Sequence, residues 1–262
     1  MTSDRYELLE VIGRGAGGTI HRAIDHDLKR EVALKVLRRD RSTRAERVRF
    51  VAEAQVASQL EHPNIIPIHD VGRTDDGDLY FVMKRVRGNT LKDRLDRSLP
   101  ELLRIIELAA DGVACAHRAG VIHRDLKPSN IMVGEHDEVL VIDWGLARGG
   151  DTARDEVTEP MSLDGDVMGS LGYMAPEQAL GQVREQGPQT DVHALGAILY
   201  EVLTGKPPRN ARTLIELLPM LRRLPIPPAG PLGALALRCL ASDPLARPSD
   251  AGEFLGLLQR SV

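Results

Sequence analysis

A lysine among apolar neighbours, a glutamate on an apolar helical stripe and one short polar run are the groups in this chain whose types and spacing could do chemistry. Lys35 falls in Glu31 to Leu37, where Val32, Leu34 and Val36 alternate with Ala33, Lys35 and Leu37, the period of a strand. Glu53 is followed by Val56, Ala57 and Leu60 at i+3, i+4 and i+7, so a carboxylate lies on the inward stripe of a helix over Arg44 to Leu60. An unpaired buried ion costs about several kcal/mol, so a cation should meet it, and Lys35 is the obvious partner. Upstream, Gly13-Arg14-Gly15-Ala16-Gly17-Gly18 joins strands over Tyr6 to Ile12 and Thr19 to Ile24. Glycines at a hairpin tip are ordinary turn formers, and a strand-turn-strand setting argues against dinucleotide binding. It leaves a flap of backbone N–H groups that could lie over phosphates. Downstream, Ile131 to Val133, the polar turn Gly134 to Asp137 and Val139 to Ile142 read as a hairpin that returns Asp143 beside Asn130. Two oxygen-bearing side chains at paired strand ends suit Mg²⁺, a hard cation that keeps phosphate and water among its ligands. Asp125 is spaced to accept or orient a hydroxyl proton, and Lys127 to neutralise a phosphate in transit. Phosphoryl transfer needs these parts and little covalent work besides.

The elements that must position these groups fall into two textures. Up to about Val86 short β-like runs alternate with turns, including strands over Ile65 to Val71 and Leu79 to Val86; beyond it the chain is mostly helical. Arg87-Gly88-Asn89 reads as the connection between lobes. Helices are expected over Leu91 to Asp96, Pro100 to Ala119 and Val192 to Leu203, the last apolar nearly all round and hence buried. Gly149 to Gly172 has little periodicity, and loops of that length are usually functional or disordered. The class is α+β. With 262 residues, 42% hydrophobic, 27% charged and a net charge of −4, the composition is that of an ordinary globular protein and points to no nucleic-acid partner. Cys115 and Cys239 sit in apolar helical surroundings and read as reduced thiols, which fits a reducing compartment. No apolar run approaches the roughly 20 residues of a membrane helix, and Met1-Thr-Ser-Asp-Arg lacks a signal-peptide pattern. The chain therefore reads as cytoplasmic, either alone or as the cytoplasmic part of a longer membrane-anchored protein.

Taken in order, these motifs resemble those of the eukaryotic-type Ser/Thr protein kinase catalytic domain, over essentially the whole chain. Gly13, Gly15, Gly18 and Ile20 stand at its glycine-rich loop; Val32-Ala33-Leu34-Lys35 resembles its Val-Ala-Ile-Lys; His123-Arg124-Asp125-Leu126-Lys127-Pro128-Ser129-Asn130 its catalytic loop; Asp143-Trp144-Gly145 its Asp-Phe-Gly; and Ala175-Pro176-Glu177 its Ala-Pro-Glu. Gly172-Tyr-Met-Ala-Pro-Glu-Gln178 and Asp191-Val-His-Ala-Leu-Gly196 are worded like the bacterial branch. The resemblance implies a bilobal fold, with a β-rich small lobe over about residues 1–86, a hinge over about 84–90 and a mainly helical large lobe over about 90–262. It implies ATP with Mg²⁺, or Mn²⁺ in its place, protein substrates, and Lys35 on the α- and β-phosphates with Glu53 fixing it. It also assigns the adenine slot to Ile12, Ile20, Ala33, Met83 and Met132, with backbone groups of Lys84 and Val86 on the base. His123 becomes a packed structural histidine stacked with Trp144, Ile68 and Ala57. Glu177 and Arg247 become a buried ion pair, and Asp191 a brace under the catalytic loop. Small-lobe dimerisation is common in that branch, so a homodimer joins the expected partners.

Lys127 and Ser170 match positions that separate Ser/Thr from Tyr kinases. Arg124 matches an arginine that commonly pairs with a phosphate on the activation segment, here Asp143 to Glu177. Frequent phosphosites of the family fall on Ser162, Asp164 and Asp166, two of them already acidic; Asp164 or Asp166 either stands in for phosphate opposite Arg124 or is a solvated loop acid. Thr152 and Thr158 are further candidate autophosphorylation sites. Gly17 replaces an aromatic at the flap tip, Lys84-Arg85 an acidic-aromatic hinge pair, and Trp144 a Phe. A non-catalytic nucleotide-binding or scaffolding pseudokinase and a small-molecule phosphotransferase are the competing readings.

Overall fold

A computed structural model of the chain describes residues 5–15, 17–144, 171–221 and 229–262. Gly145, Thr152, Thr158, Ser162, Asp164, Asp166 and Ser170 lie outside the described residues.

The first sheet contains β1 (Tyr6–Gly15), β2 (Gly18–Asp25), β3 (Arg30–Leu37), β4 (Ile68–Arg73) and β5 (Leu79–Lys84), antiparallel in the order β1-β2-β3-β5-β4. The alternation along β3 sorts its side chains as expected. Val32, Leu34 and Val36 join Tyr6, Ala23, Tyr80 and Val82 on one face. Leu37, on the other, packs with Phe50, Ala54, Leu79 and Phe81 beneath α1 (Arg44–Gln59). Thr43 begins α1 with a capping box: its Oγ1 accepts from the Glu46 N–H (3.2 Å), and its own N–H donates to Glu46 (2.6 Å). Lys35 shares the α1 face, so strand and helix present Lys35 and Glu53 to each other.

Two edges differ from the sequence expectation. β4 begins at Ile68 rather than Ile65, because Pro67 has no N–H for a ladder and Ile65 instead forms a parallel bridge with Val141. β5 ends at Lys84 rather than Val86, and Gly88 and Asn89 of the expected connection Arg87-Gly88-Asn89 form with Thr90 a strand, β6 (Gly88–Thr90), paired with β7 (Ile131–Gly134), which pairs in turn with β8 (Val139–Val141). Gly88 permits this, since a Cβ there would collide with the Val133 carbonyl. Leu91–Arg94 is a 3₁₀ turn rather than a helix to Asp96, with the Thr90 N–H and hydroxyl both committed to Asp93 (3.2 and 2.6 Å).

Helices α2 (Leu99–Arg118), α3 (Pro176–Ala179), α4 (Pro188–Thr204), α5 (Leu214–Met220), α6 (Gly230–Cys239) and α7 (Ala251–Ser261) make the rest. α2 packs against β8, α4 and α7, and α4 against α6. Their core, including Ile106, Ile131, Leu195 and Phe254, continues into Ala57, Leu60 and Ile65 and meets the first sheet at Ile68 and Met83, while the two faces of that sheet keep clusters of their own. Cys239 is buried, Cys115 half-buried, and both are free thiols. Among the described residues, no helix is long and apolar enough to cross a membrane.

Candidate active site

β3 delivers Lys35, α1 Glu53 and the end of β8 Asp143 to one point. Lys35 Nζ lies 2.7 Å from Glu53 Oε1 and 3.6 Å from Asp143 Oδ1; the side chains of Lys35 and Glu53 are each 9% exposed, that of Asp143 45%. One ammonium thus faces two carboxylates, which divide by exposure. Burial pushes the Glu53 carboxyl up to about 7 against the pull of Lys35, with Asp143 adding to the rise. Asp143 opens toward the cleft; burial opposes its charge too, but Lys35, with His123 and Lys127, holds it below the ordinary carboxylate range. Burial works against the Lys35 ammonium as well, yet the two acids outweigh it and raise its pKa.

Asp125 Oδ2 takes the Lys127 ammonium at 2.8 Å and the Asn130 amide at 3.1 Å, and the same amide donates to the Asp125 carbonyl at 2.7 Å. The Asn130 NH₂ is therefore committed to Asp125, and Oδ1 is the atom left to take a cation. The hairpin returns as expected: the Ile142 N–H donates to the Asn130 carbonyl (2.9 Å), which sets Asp143 beside it. Asn130 and Asp143 offer only hard oxygen donors, a set that fits a divalent cation completed by phosphate and water. Arg124 and Asp143 have φ of 70° and 63°. Left-handed backbone at a non-glycine residue costs about 1–3 kcal/mol and persists where the surroundings over-determine it, typically at functional sites.

What over-determines the loop is Asp191 at the start of α4, which accepts from the His123 N–H (2.8 Å), the Arg124 N–H (2.7 Å) and His117 Nε2 (2.8 Å). His117 Nδ1 accepts the Ala251 N–H (3.1 Å), so Nε2 carries the proton it gives to Asp191. Burial opposes charge on Asp191, but His117 holds it ionised, below the ordinary range. Gln178 on α3 adds a bond from its amide to the Arg124 carbonyl (2.7 Å). His117 was not among the sequence candidates. The available signal was a histidine among Val113, Ala114 and Ala116 on the buried face of α2.

His123 is fully buried, its ring 4.7 Å from Trp144 at 55°, its Nε2 3.0 Å from the Ile142 carbonyl; Ala57 and Ile68 lie in the same core. Arg247 and Glu177 form the expected buried pair, bidentate at 2.8 and 2.9 Å. Beside it stands a polar chain that the sequence did not reveal. Tyr173 donates to Glu201 (2.6 Å), and buried Arg209 donates to His193 Nε2 (3.1 Å), whose Nδ1–H reaches the Tyr173 carbonyl (3.2 Å). Burial, with Arg209 and Arg247, drives the His193 pKa well below its ordinary value.

The flap tip lies over Lys35. Gly18 has φ +121°, and a Cβ on it would strike the Val36 carbonyl; a Cβ on Gly17 would stand 2.9 Å from Lys35 Nζ. Gly13 packs on Ile20, and Gly15 pairs with Gly18 across the tip. Ala33, 5% exposed, is the register partner of Met83; Met83, Val86 and Met132 are partly buried against the large core, and Ile12 is exposed. The Lys84 N–H is already donated to the Pro67 carbonyl (3.1 Å), so any backbone contact of Lys84 with a base falls to its carbonyl.

A family model described as the protein kinase domain matches residues 6–227. The chain is 40% identical over 242 residues to serine/threonine-protein kinase PknD of Protochlamydia amoebophila, covering 82% of this chain and 24% of that protein. It is 38% identical over 268 residues to serine/threonine-protein kinase PknB of Mycolicibacterium smegmatis, covering 96% and 42%. Against serine/threonine-protein kinase PrkC of Bacillus subtilis it is 39% identical over 220 residues, covering 82% and 33%. The chain spans less than half the length of these curated relatives.

Proposed function

The chain belongs to the protein kinase family, in company with bacterial Ser/Thr members, and from that premise we propose that it transfers the γ-phosphate of Mg-ATP to Ser and Thr hydroxyls of proteins, itself included. The observation that carries this reading is the meeting of Lys35 with Glu53 and Asp143 beside an Asp125–Lys127–Asn130 cluster, two cations and four oxygen-bearing side chains around one cleft.

In that cleft Lys35, held by Glu53, takes the α- and β-phosphates while N–H groups of the Gly13, Gly15 and Gly18 flap cover them. The adenine lies between Ile12, Ile20 and Ala33 on one side and Met132 on the other, with Met83 behind it and the Lys84 carbonyl and Val86 backbone on its edge. Asn130 Oδ1 and the Asp143 carboxylate hold Mg²⁺ (or Mn²⁺); a cation there neutralises phosphate charge. Asp125 orients the substrate hydroxyl and receives its proton, worth about 10²- to 10⁴-fold. Lys127, 2.8 Å from Asp125, is placed to leave that carboxylate and follow the charge moving onto the transferred group. Arg124, next to Asp125 in the chain, is the residue to pair with a phosphate carried on the activation segment. Lys35, Asp125 and Asp143, whose loss marks non-catalytic relatives of this fold, are all present.

The test is incorporation of labelled γ-phosphate into the protein and into a basic protein substrate, with Mg²⁺ and separately Mn²⁺, for wild type and Asp143→Asn. Transfer should fall by about 10²-fold or more in the variant; equal incorporation in both points to the scaffold reading.

A further inference from the structure

On the outer face of the hinge, away from the cleft, a groove runs between the start of β3, residues 84–87 and the turn after β7. Glu31 stands at its centre. Its Oε2 takes the guanidinium groups of Arg85 and Arg87 (2.8 Å for Arg87), and its Oε1 that of Arg22 (2.9 Å), which in turn holds Glu10 (2.6 Å). Arg85 and Arg87 flank Val86. Across the groove the Glu135 N–H donates to the Arg87 carbonyl (2.7 Å), and Lys84 Nζ lies 3.7 Å from Glu138. The hinge is thus tied on one side to the first sheet and on the other to the β7–β8 turn. An isolated exposed ion pair would mean little. Here Glu31 and Arg85 are three-quarters buried, the bonds are charge-assisted, and three arginines share one carboxylate. Arg85 has its pKa lowered by burial and by the neighbouring charges of Arg87 and Arg22.

We propose that Glu31 is a positioning residue for nucleotide recognition, holding the backbone of residues 84–87 in register for the adenine edge through Arg85 and Arg87. This rests on the ATP reading above. Without the Glu31 charge the three arginines repel, and the Lys84 carbonyl and Val86 backbone lose their fixed spacing. The groups that handle phosphate have anchors of their own, Lys35 (four residues beyond Glu31 on β3) on Glu53 and Asp143, and Asn130 on Asp125, and keep theirs.

The experiment uses the full chain and Glu31→Gln, with adenosine and inorganic tripolyphosphate as separate competitors of ATP. The KM for ATP should rise about three- to tenfold, the size of one or two weakened hydrogen bonds, with kcat at saturating ATP within about twofold. Adenosine competition should weaken by the same factor and tripolyphosphate competition should stay as in wild type. Arg85→Gln/Arg87→Gln should reproduce that split and serves if Glu31→Gln fails to fold, while Glu10→Gln, at a residue that hydrogen-bonds Arg22 and reaches Arg85 only as a more distant charge, should leave adenosine competition unchanged. Equal weakening of both competitors, or of neither, overturns the proposal. A wild-type protein that binds neither ATP nor adenosine overturns the ATP reading, and this inference with it.

Discussion

Lys35 is shared by two acids, and the pH response follows from which of them is buried. The folded Glu53 value of about 7 lies above its ordinary 4.5. As the pH rises through about 7 the carboxyl ionises and anchors Lys35, so kcat/KM for ATP should climb over that interval. Stability moves the other way: a carboxyl whose folded pKa is raised contributes fully below its unfolded value and loses that contribution as the pH passes the folded one. Glu53→Gln should show a low, flat kcat/KM across the same interval; a variant that keeps the wild-type slope would assign the titration to another group. The meeting of Lys35 with Glu53 and the return of Asp143 beside Asn130 were readable from residue type and spacing, since an acid on an apolar stripe and a polar turn between two β runs leave few partners. His117, Arg209 and Glu31 were not. Their roles depend on contacts between residues far apart in the chain, for which periodicity has no signal.

At the level of elements, the flap is held by backbone shape. Gly18 combines φ +121° with close approach to Val36, so Gly18→Ala should destabilise the protein by about 1–3 kcal/mol in urea unfolding, and more than Gly120→Ala, where φ is also positive but nothing lies within 4 Å. Comparable losses for the two would leave strain alone as the cause. The β1–β2 and β7–β8 hairpins were legible as apolar runs on either side of a glycine-rich or polar turn, the α1 stripe from its i+3, i+4 and i+7 spacing, and α4 from an apolar stretch too long for a strand. β6 and the late start of β4 were not. Three residues are too few to show alternation, and Pro67 and Gly88 act through partners distant in the chain, Lys84 and Val133.

Across the whole molecule, polar groups inside the helical lobe set its response to acid. His193 is buried against Arg209, Arg247 and the Tyr173 carbonyl, and its depressed pKa means that it must stay neutral to remain folded. Its contribution is present above the ordinary 6.5 and is lost as the pH falls below it. The thermal midpoint of the wild type should therefore drop more steeply than that of His193→Gln between neutral and mildly acid pH; parallel curves would refute this. Breaking the Glu177–Arg247 pair with Glu177→Gln leaves a buried guanidinium short of its counter-charge and should cost about 3–5 kcal/mol by denaturant titration. Asp191, finally, has a consequence for how the protein is made. The catalytic loop depends on a carboxylate on α4 and, through His117, on an amide at Ala251, both translated long after it. On the ribosome the flap, Lys35 and Asp125 emerge first, while the backbone that aims Asp125 is locked only when α4 and the start of α7 have followed. Until Ala251 has been added, a growing chain therefore carries Asp125 without the lock that aims it.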